Sequence, residues 1–184
     1  MSKFTKLVEE FTPVRYPKVT RSPTGNKLAE GFIVQELARY LAMYAAQESM
    51  DQKSRLVRDG IDFWLRRYHG FAVNGSIGAH YKEVGVDIDD CDFEHVIPQK
   101  TIRDMLIAGV LTIEQAMNAP TCYLHRDNHK LLKQSGWDSN TPSALHFFDR
   151  YTTVFQAKFE TYSGQAIANP HTWDLEKHYK FFKV

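Results

Sequence analysis

Apolar residues keep a helical period through the first third of this chain and then lose it, and no other feature limits the fold as strongly. From Lys27 to about Ser49, Ile33, Leu37, Tyr40, Leu41 and Tyr44 recur at helical spacing with alanines between them. From about Met50 to Tyr68, Val57, Ile61, Trp64, Leu65 and Tyr68 share one helical face, opposite Arg55, Arg58, Asp62 and Arg66. The acidic residues among those arginines dilute their field, so that face reads as solvated. The two runs predict a helical hairpin over 28–68. Residues 69–93 then bring Gly70, Gly75, Gly78 and Gly85, and the alternation in Val84-Gly85-Val86-Asp87-Ile88-Asp89-Asp90 predicts a strand or an extended approach to one.

Before the hairpin, residues 1–27 alternate apolar and basic side chains and carry Pro13, Pro17 and Pro23, predicting an irregular basic arm that ends in a turn at Ser22–Asn26. Lys3, Lys6, Arg15, Lys18, Arg21 and Lys27 suit such an arm to follow phosphates. After Pro98 a short helix is expected from Thr101 to Val110. Another begins at Thr112, where Thr112-Ile113-Glu114-Gln115 has the form of a capping box. Pro120 precedes a β-prone run, Thr121 to Leu124, and Arg126–Gln134 reads as a helix stopped by Ser135-Gly136. Residues 135–184 hold many aromatics, among them Phe147, Phe148, Tyr151, Phe159 and Tyr179, and are expected to pack on the core. The expected fold class is α+β, a mainly helical single domain.

With 184 residues, 43% of them hydrophobic, the chain can bury one compact core. Its 23 Lys+Arg against 22 Asp+Glu leave a net charge of +1, which argues against a protein that coats nucleic acid by bulk charge. No apolar run approaches the roughly 18 residues of a membrane span, and the start lacks a secretory signal pattern, so a cytoplasmic protein with no membrane partner is expected. Two cysteines, Cys91 and Cys122, cannot make a disulfide framework; reduced, core-packed thiols are expected.

Reactive side chains concentrate in Asp92-Phe93-Glu94-His95-Val96-Ile97-Pro98 and, about thirty residues on, in Thr121 to Leu132. Adjacent residues on a strand point to opposite faces, so Glu94 and His95 are expected to do different jobs, one holding a metal and the other moving a proton. Glu94-His95-Val96-Ile97-Pro98 and His129-Lys130, at the start of a helix after a second strand, resemble the HNH, or ββα-metal (His-Me finger), endonuclease family. The resemblance covers residues 84–134. It implies an embedded ββα-metal (HNH-like) element in which Glu94 and His129 hold one divalent cation and His95 is the general base. It also implies an Asn in the inter-strand loop that steadies the backbone around the base; Asn118 fits that place, and Asn128 is the weaker candidate.

By that resemblance the expected activity is metal-dependent endonuclease cleavage of DNA, with RNA not excluded and a homodimer needed to cut both strands. Biological roles from restriction to phage genome processing stay open. Magnesium or manganese is the expected cofactor, with zinc or nickel compatible with an imidazole ligand. At the start of the second helix, amides and the positive helix end are expected to face phosphate, joined by Arg126, Asn128, Lys130 and Lys133. His125 is a further candidate there. A rival reading, from the spacing Cys-x2-His-x3-His, takes Cys91, Cys122, His125 and His129 as a structural zinc site in a non-catalytic nucleic-acid- or protein-binding module.

Overall fold

The computed structural model describes the backbone of residues 23–74 and 79–184, and side chains from Glu30 to His69 and from Ala79 onward. Most of the expected basic arm therefore lies outside the described residues. Helix α1 spans Pro23–Ala46, so the turn expected around Pro23 is already helix. Proline suits a first helical turn, since its fixed φ is helical and its missing N–H would have had no partner there. Ser49 caps α2 (Met50–Leu56), accepting from the Gln52 amide. A π-helical turn, Val57–Ile61, leads into α3, Asp62–Asn74, which runs through Gly70 and ends later than expected. Ile33 and Leu37 of α1 are buried with Ile61 and Leu65. At Gly60 an added Cβ would stand 2.0 Å from the Tyr40 ring, so only glycine lets the two segments meet this closely.

Four short strands follow: β1 (Tyr81–Glu83), β2 (Cys91–His95), β3 (Thr121–His125) and β4 (Phe159–Thr161). They form one mixed sheet in the order β2-β3-β1-β4, with β1 parallel to β3 and the other pairs antiparallel. Residues 84–90 are not the expected strand. Gly85 takes φ 81°, and Asp87 caps a 3-10 turn at Ile88–Asp90 by accepting from the Asp89 amide, so the alternation falls in the turn that joins β1 to β2.

Between β2 and β3 lie α4 (Gln99–Ile107) and α5 (Ile113–Met117). The capping box of Thr112 and Gln115 is formed in both directions. Helix α6, Arg126–Gln134, follows β3 directly. The aromatic region adds α7 (Asp149–Thr152), β4 and α8 (Leu175–Phe182), and buries Phe147, Phe148, Tyr151 and Phe159. Trp173 Nε1 donates to the Tyr81 hydroxyl at 2.8 Å, and that hydroxyl donates to His178 Nδ1 at 2.7 Å. His178 Nε2 completes the chain by donating to Asn118 O at 2.8 Å, tying α8 to the sheet and to the end of α5. The whole is a mainly helical α+β fold with a small four-stranded mixed sheet. Among the described residues no helix is long and apolar enough to cross a membrane.

Candidate active site

The register of β2 on β3 decides which side chains meet. Asp92 opposes Leu124 and Glu94 opposes Cys122, so these four share one face. Cys91 with His125, Phe93 with Tyr123, and His95 with Thr121 take the other. Helix α6 turns back over the Asp92 and Glu94 face, burying Leu132 and bringing in His129 one turn from its start. His129 Nδ1 lies 2.8 Å from Asp92 Oδ2, and Nε2 lies 3.2 Å from Glu94 Oε2. Glu94 first, and Asp92 after it, raise the pKa of His129 against the opposing effect of burial. Asp92 is held below the usual carboxylate range chiefly by its hydrogen bond with His129.

The other oxygen of Glu94 accepts from Arg150 Nη2 at 2.7 Å. Arg150 is fully buried, and its Nη1 donates to the carbonyls of His95 at 3.0 Å and Val96 at 3.1 Å. One side chain therefore fixes both the Glu94 carboxylate and the backbone on either side of the strand end. Strand β2 stops at His95, and an open pocket of about 350 Å³ lies at that end. Because the strand stops there, side chains from both faces reach the pocket. Glu94 and His95 line it together with Arg66, Lys100, Asp138 and Ser139. Arg66, expected on a solvated face, thus stands at the pocket with the pair of interest. His95 is largely buried; desolvation above all, then His69, Arg66 and Arg150, push its pKa down to about 3. The imidazole is neutral at physiological pH and keeps a lone pair.

A divalent cation fits the donors. Two ligands with bonds of about 2.1 Å, at an angle between the octahedral and tetrahedral values, stand roughly 3.0–3.4 Å apart. Glu94 Oε2 and His129 Nε2 are 3.2 Å apart. Asp92, accepting from His129 Nδ1, would leave Nε2 as the nitrogen for a cation, the usual way a carboxylate orients a metal-binding imidazole. Among the described residues no three His, Cys, Asp or Glu side chains form a metal cage.

Other expected contributors are placed differently. Asn118 ends α5, and its side-chain amide donates to Glu114 O at 3.0 Å, so it serves its own helix; Arg150 holds the backbone around His95 instead. Two amides at the start of α6 already have partners within the protein: the His125 amide donates to Glu83 Oε2 at 3.1 Å, and the Asp127 amide donates to His125 Nδ1 at 3.3 Å. Asn128 donates to Glu83 Oε1 at 2.6 Å. Arg126 donates to Asp89 O at 2.6 Å and lies near Asp90 and Asp92, while Lys130 pairs with Asp127 at 2.8 Å. Lys133 is exposed and acts on Asp92 and His129 only through its charge.

The four residues of the rival zinc site are not assembled. Strand alternation puts Cys91 and Cys122 on opposite faces of the sheet, where Cys91 Sγ donates to Asp87 O and Cys122 is buried. In the sequence, Asp92, Arg150, His69 and Lys100 have no assigned role and Arg66 reads as part of a solvated face. Asp92 alone had a signal there, standing two residues before Glu94 and hence on its face. Compared with known protein families, curated proteins and solved structures, the chain matches none of them.

Proposed function

We propose that this chain is an HNH-type endonuclease that hydrolyses phosphodiester bonds in DNA, using one divalent cation, magnesium or manganese, held by Glu94 and His129. The antiparallel β2–β3 pair with α6 is then its ββα-metal element. The observation that carries this reading is the end of β2, where Glu94, 3.2 Å from His129, lines the same pocket as His95. A divalent cation at that pair supplies positive charge to the phosphate and to the departing 3′ oxygen.

The chain's own side chains do the rest. His95, neutral at physiological pH, accepts the proton of a water whose oxygen attacks phosphorus. The P–O3′ bond breaks and the departing oxygen takes a proton from solvent, so that the products carry a 5′ phosphate and a 3′ hydroxyl, as the family resemblance implies. Arg66 and Lys100, both exposed and both lining the pocket, hold the phosphate against Glu94 and His95. Arg150 keeps one Glu94 oxygen occupied, so that the other faces His129. One such site cuts one strand, so double-strand cleavage calls for a second copy of the chain.

The test is incubation of supercoiled plasmid, and in parallel a labelled RNA, with the protein in magnesium, manganese or excess chelator. Nicked or linear DNA bearing 5′ phosphates, formed with either cation and abolished by chelator, is the expected result. Cleavage of RNA alone would reassign the substrate. Intact substrates under every condition would overturn the reading.

A further inference from the structure

His69 lies on α3, in the helical hairpin and outside the stretch 84–134 that carries the family resemblance, yet it touches the general base. Its Nδ1 is 2.9 Å from His95 Nε2, and the two rings meet edge to face with centroids 4.7 Å apart. On its far side, His69 Nε2 is 3.0 Å from the carbonyl oxygen of Met117, at the end of α5. The His69 side chain is almost wholly buried, at 3% exposure.

These two contacts determine where the protons sit. A carbonyl oxygen only accepts, so His69 Nε2 carries the hydrogen and donates it to Met117. A buried imidazole with no acid partner is neutral, so Nδ1 is left as a lone pair. That lone pair can bond His95 Nε2 only if His95 Nε2 carries a hydrogen. A neutral His95 then carries its one proton on Nε2 and leaves Nδ1 bare.

We propose that His69 is the positioning residue of the general base: the chain from Met117 O through His69 to His95 selects the His95 tautomer whose Nδ1 accepts the proton of water. The proposal rests on the endonuclease reading. It gives the hairpin a role in that site beyond packing, because α3 supplies the acceptor and α5 anchors it. The logic is that of a base oriented by a third group, with an imidazole lone pair in place of the usual carboxylate. A neutral orienter leaves the pocket's charge to Glu94, Asp138, Arg66 and Lys100.

Two measurements on the full chain test this. The first needs no activity: in protein labelled with 15N-histidine, one- and two-bond couplings identify the protonated nitrogen of His95, assigned by its loss in His95→Ala. Protonation on Nε2 in the wild type, and a mixture of tautomers in His69→Leu, are expected; protonation on Nδ1 in the wild type overturns the proposal. The second compares steady-state cleavage by His69→Leu and His69→Asn, the carboxamide oxygen of Asn standing where Nδ1 stands. Expected are a loss of about 10²-fold or more in kcat for Leu at nearly unchanged KM, and recovery to within about tenfold of wild type for Asn. Equal kcat in Leu and wild type, or equal losses in Leu and Asn, overturns it. Wild-type protein inactive with every cation would overturn the endonuclease reading instead, while the tautomer measurement still decides the hydrogen-bond chain.

Discussion

Asp92 settles how His129 presents its ring. By accepting from Nδ1 at 2.8 Å it holds the side chain so that Nε2 meets Glu94 Oε2. Replacing it with Asn keeps the shape but removes the charge that makes the imidazole a better donor. The Asp92→Asn variant should therefore bind manganese about 10–100-fold more weakly in a titration followed by electron paramagnetic resonance. Unchanged affinity would show that Asp92 does not support the metal site. Glu94, His95 and His129 were legible because each belongs to a local pattern, an acidic-His-apolar-apolar-Pro strand or a histidine on the helix after a strand. Arg150 and His69 were not, because they reach the site from 56 residues downstream of Glu94 and 26 upstream of His95. No periodicity or spacing rule spans such separations; only the tertiary fold brings the groups together. The Cys-x2-His-x3-His spacing misled for a related reason, since a one-residue change in strand position turns a side chain to the other face.

Elements were legible in proportion to their length. The hairpin, the capping box, β3 and α6 stand close to where their patterns put them, whereas β2 begins only after the run 84–90 whose alternation pointed to a strand or an approach to one. Strands β1 and β4 span three residues each, too short for alternation to show, and they form because β3 and the aromatic layer hold them. Helix α3 passes Gly70, whose cost of about 1 kcal/mol in a helix interior is small beside the burial of Ile61, Leu65 and Tyr68. The π-helical turn at Val57–Ile61 is the join that α1 depends on, because the Tyr40 ring lies against the backbone of Gly60. Gly60→Ala would drive a methyl into that ring. It should cost about 1–3 kcal/mol, seen as a lower urea midpoint with an unchanged slope. A variant as stable as the wild type would mean that the hairpin packs more loosely than described.

Across the whole molecule, buried neutral imidazoles tie the helices to the sheet. His178 is pushed down to about 4 and His69 to about 4, in both cases chiefly by desolvation, and His80 lies well below its ordinary value. When the chain unfolds these groups recover a value near 6.5, so between about pH 6.5 and 4 the unfolded state binds protons that the folded state refuses. Stability is then fully present above pH 6.5 and is lost as pH falls towards 4. His129, raised by Glu94, works in the opposite sense, but it is one group against four, since His95 is pushed down as well. The urea midpoint should drop between pH 7.5 and pH 5, and equal midpoints would contradict the neutral, buried state of these histidines. The most direct test of the central claim sets wild type beside His95→Ala, each assayed for plasmid cleavage and for manganese affinity. Cleavage lost with affinity kept is the predicted result, because the proposed mechanism gives the proton to His95 and the cation to Glu94 with His129. Undiminished cleavage by His95→Ala would contradict the account.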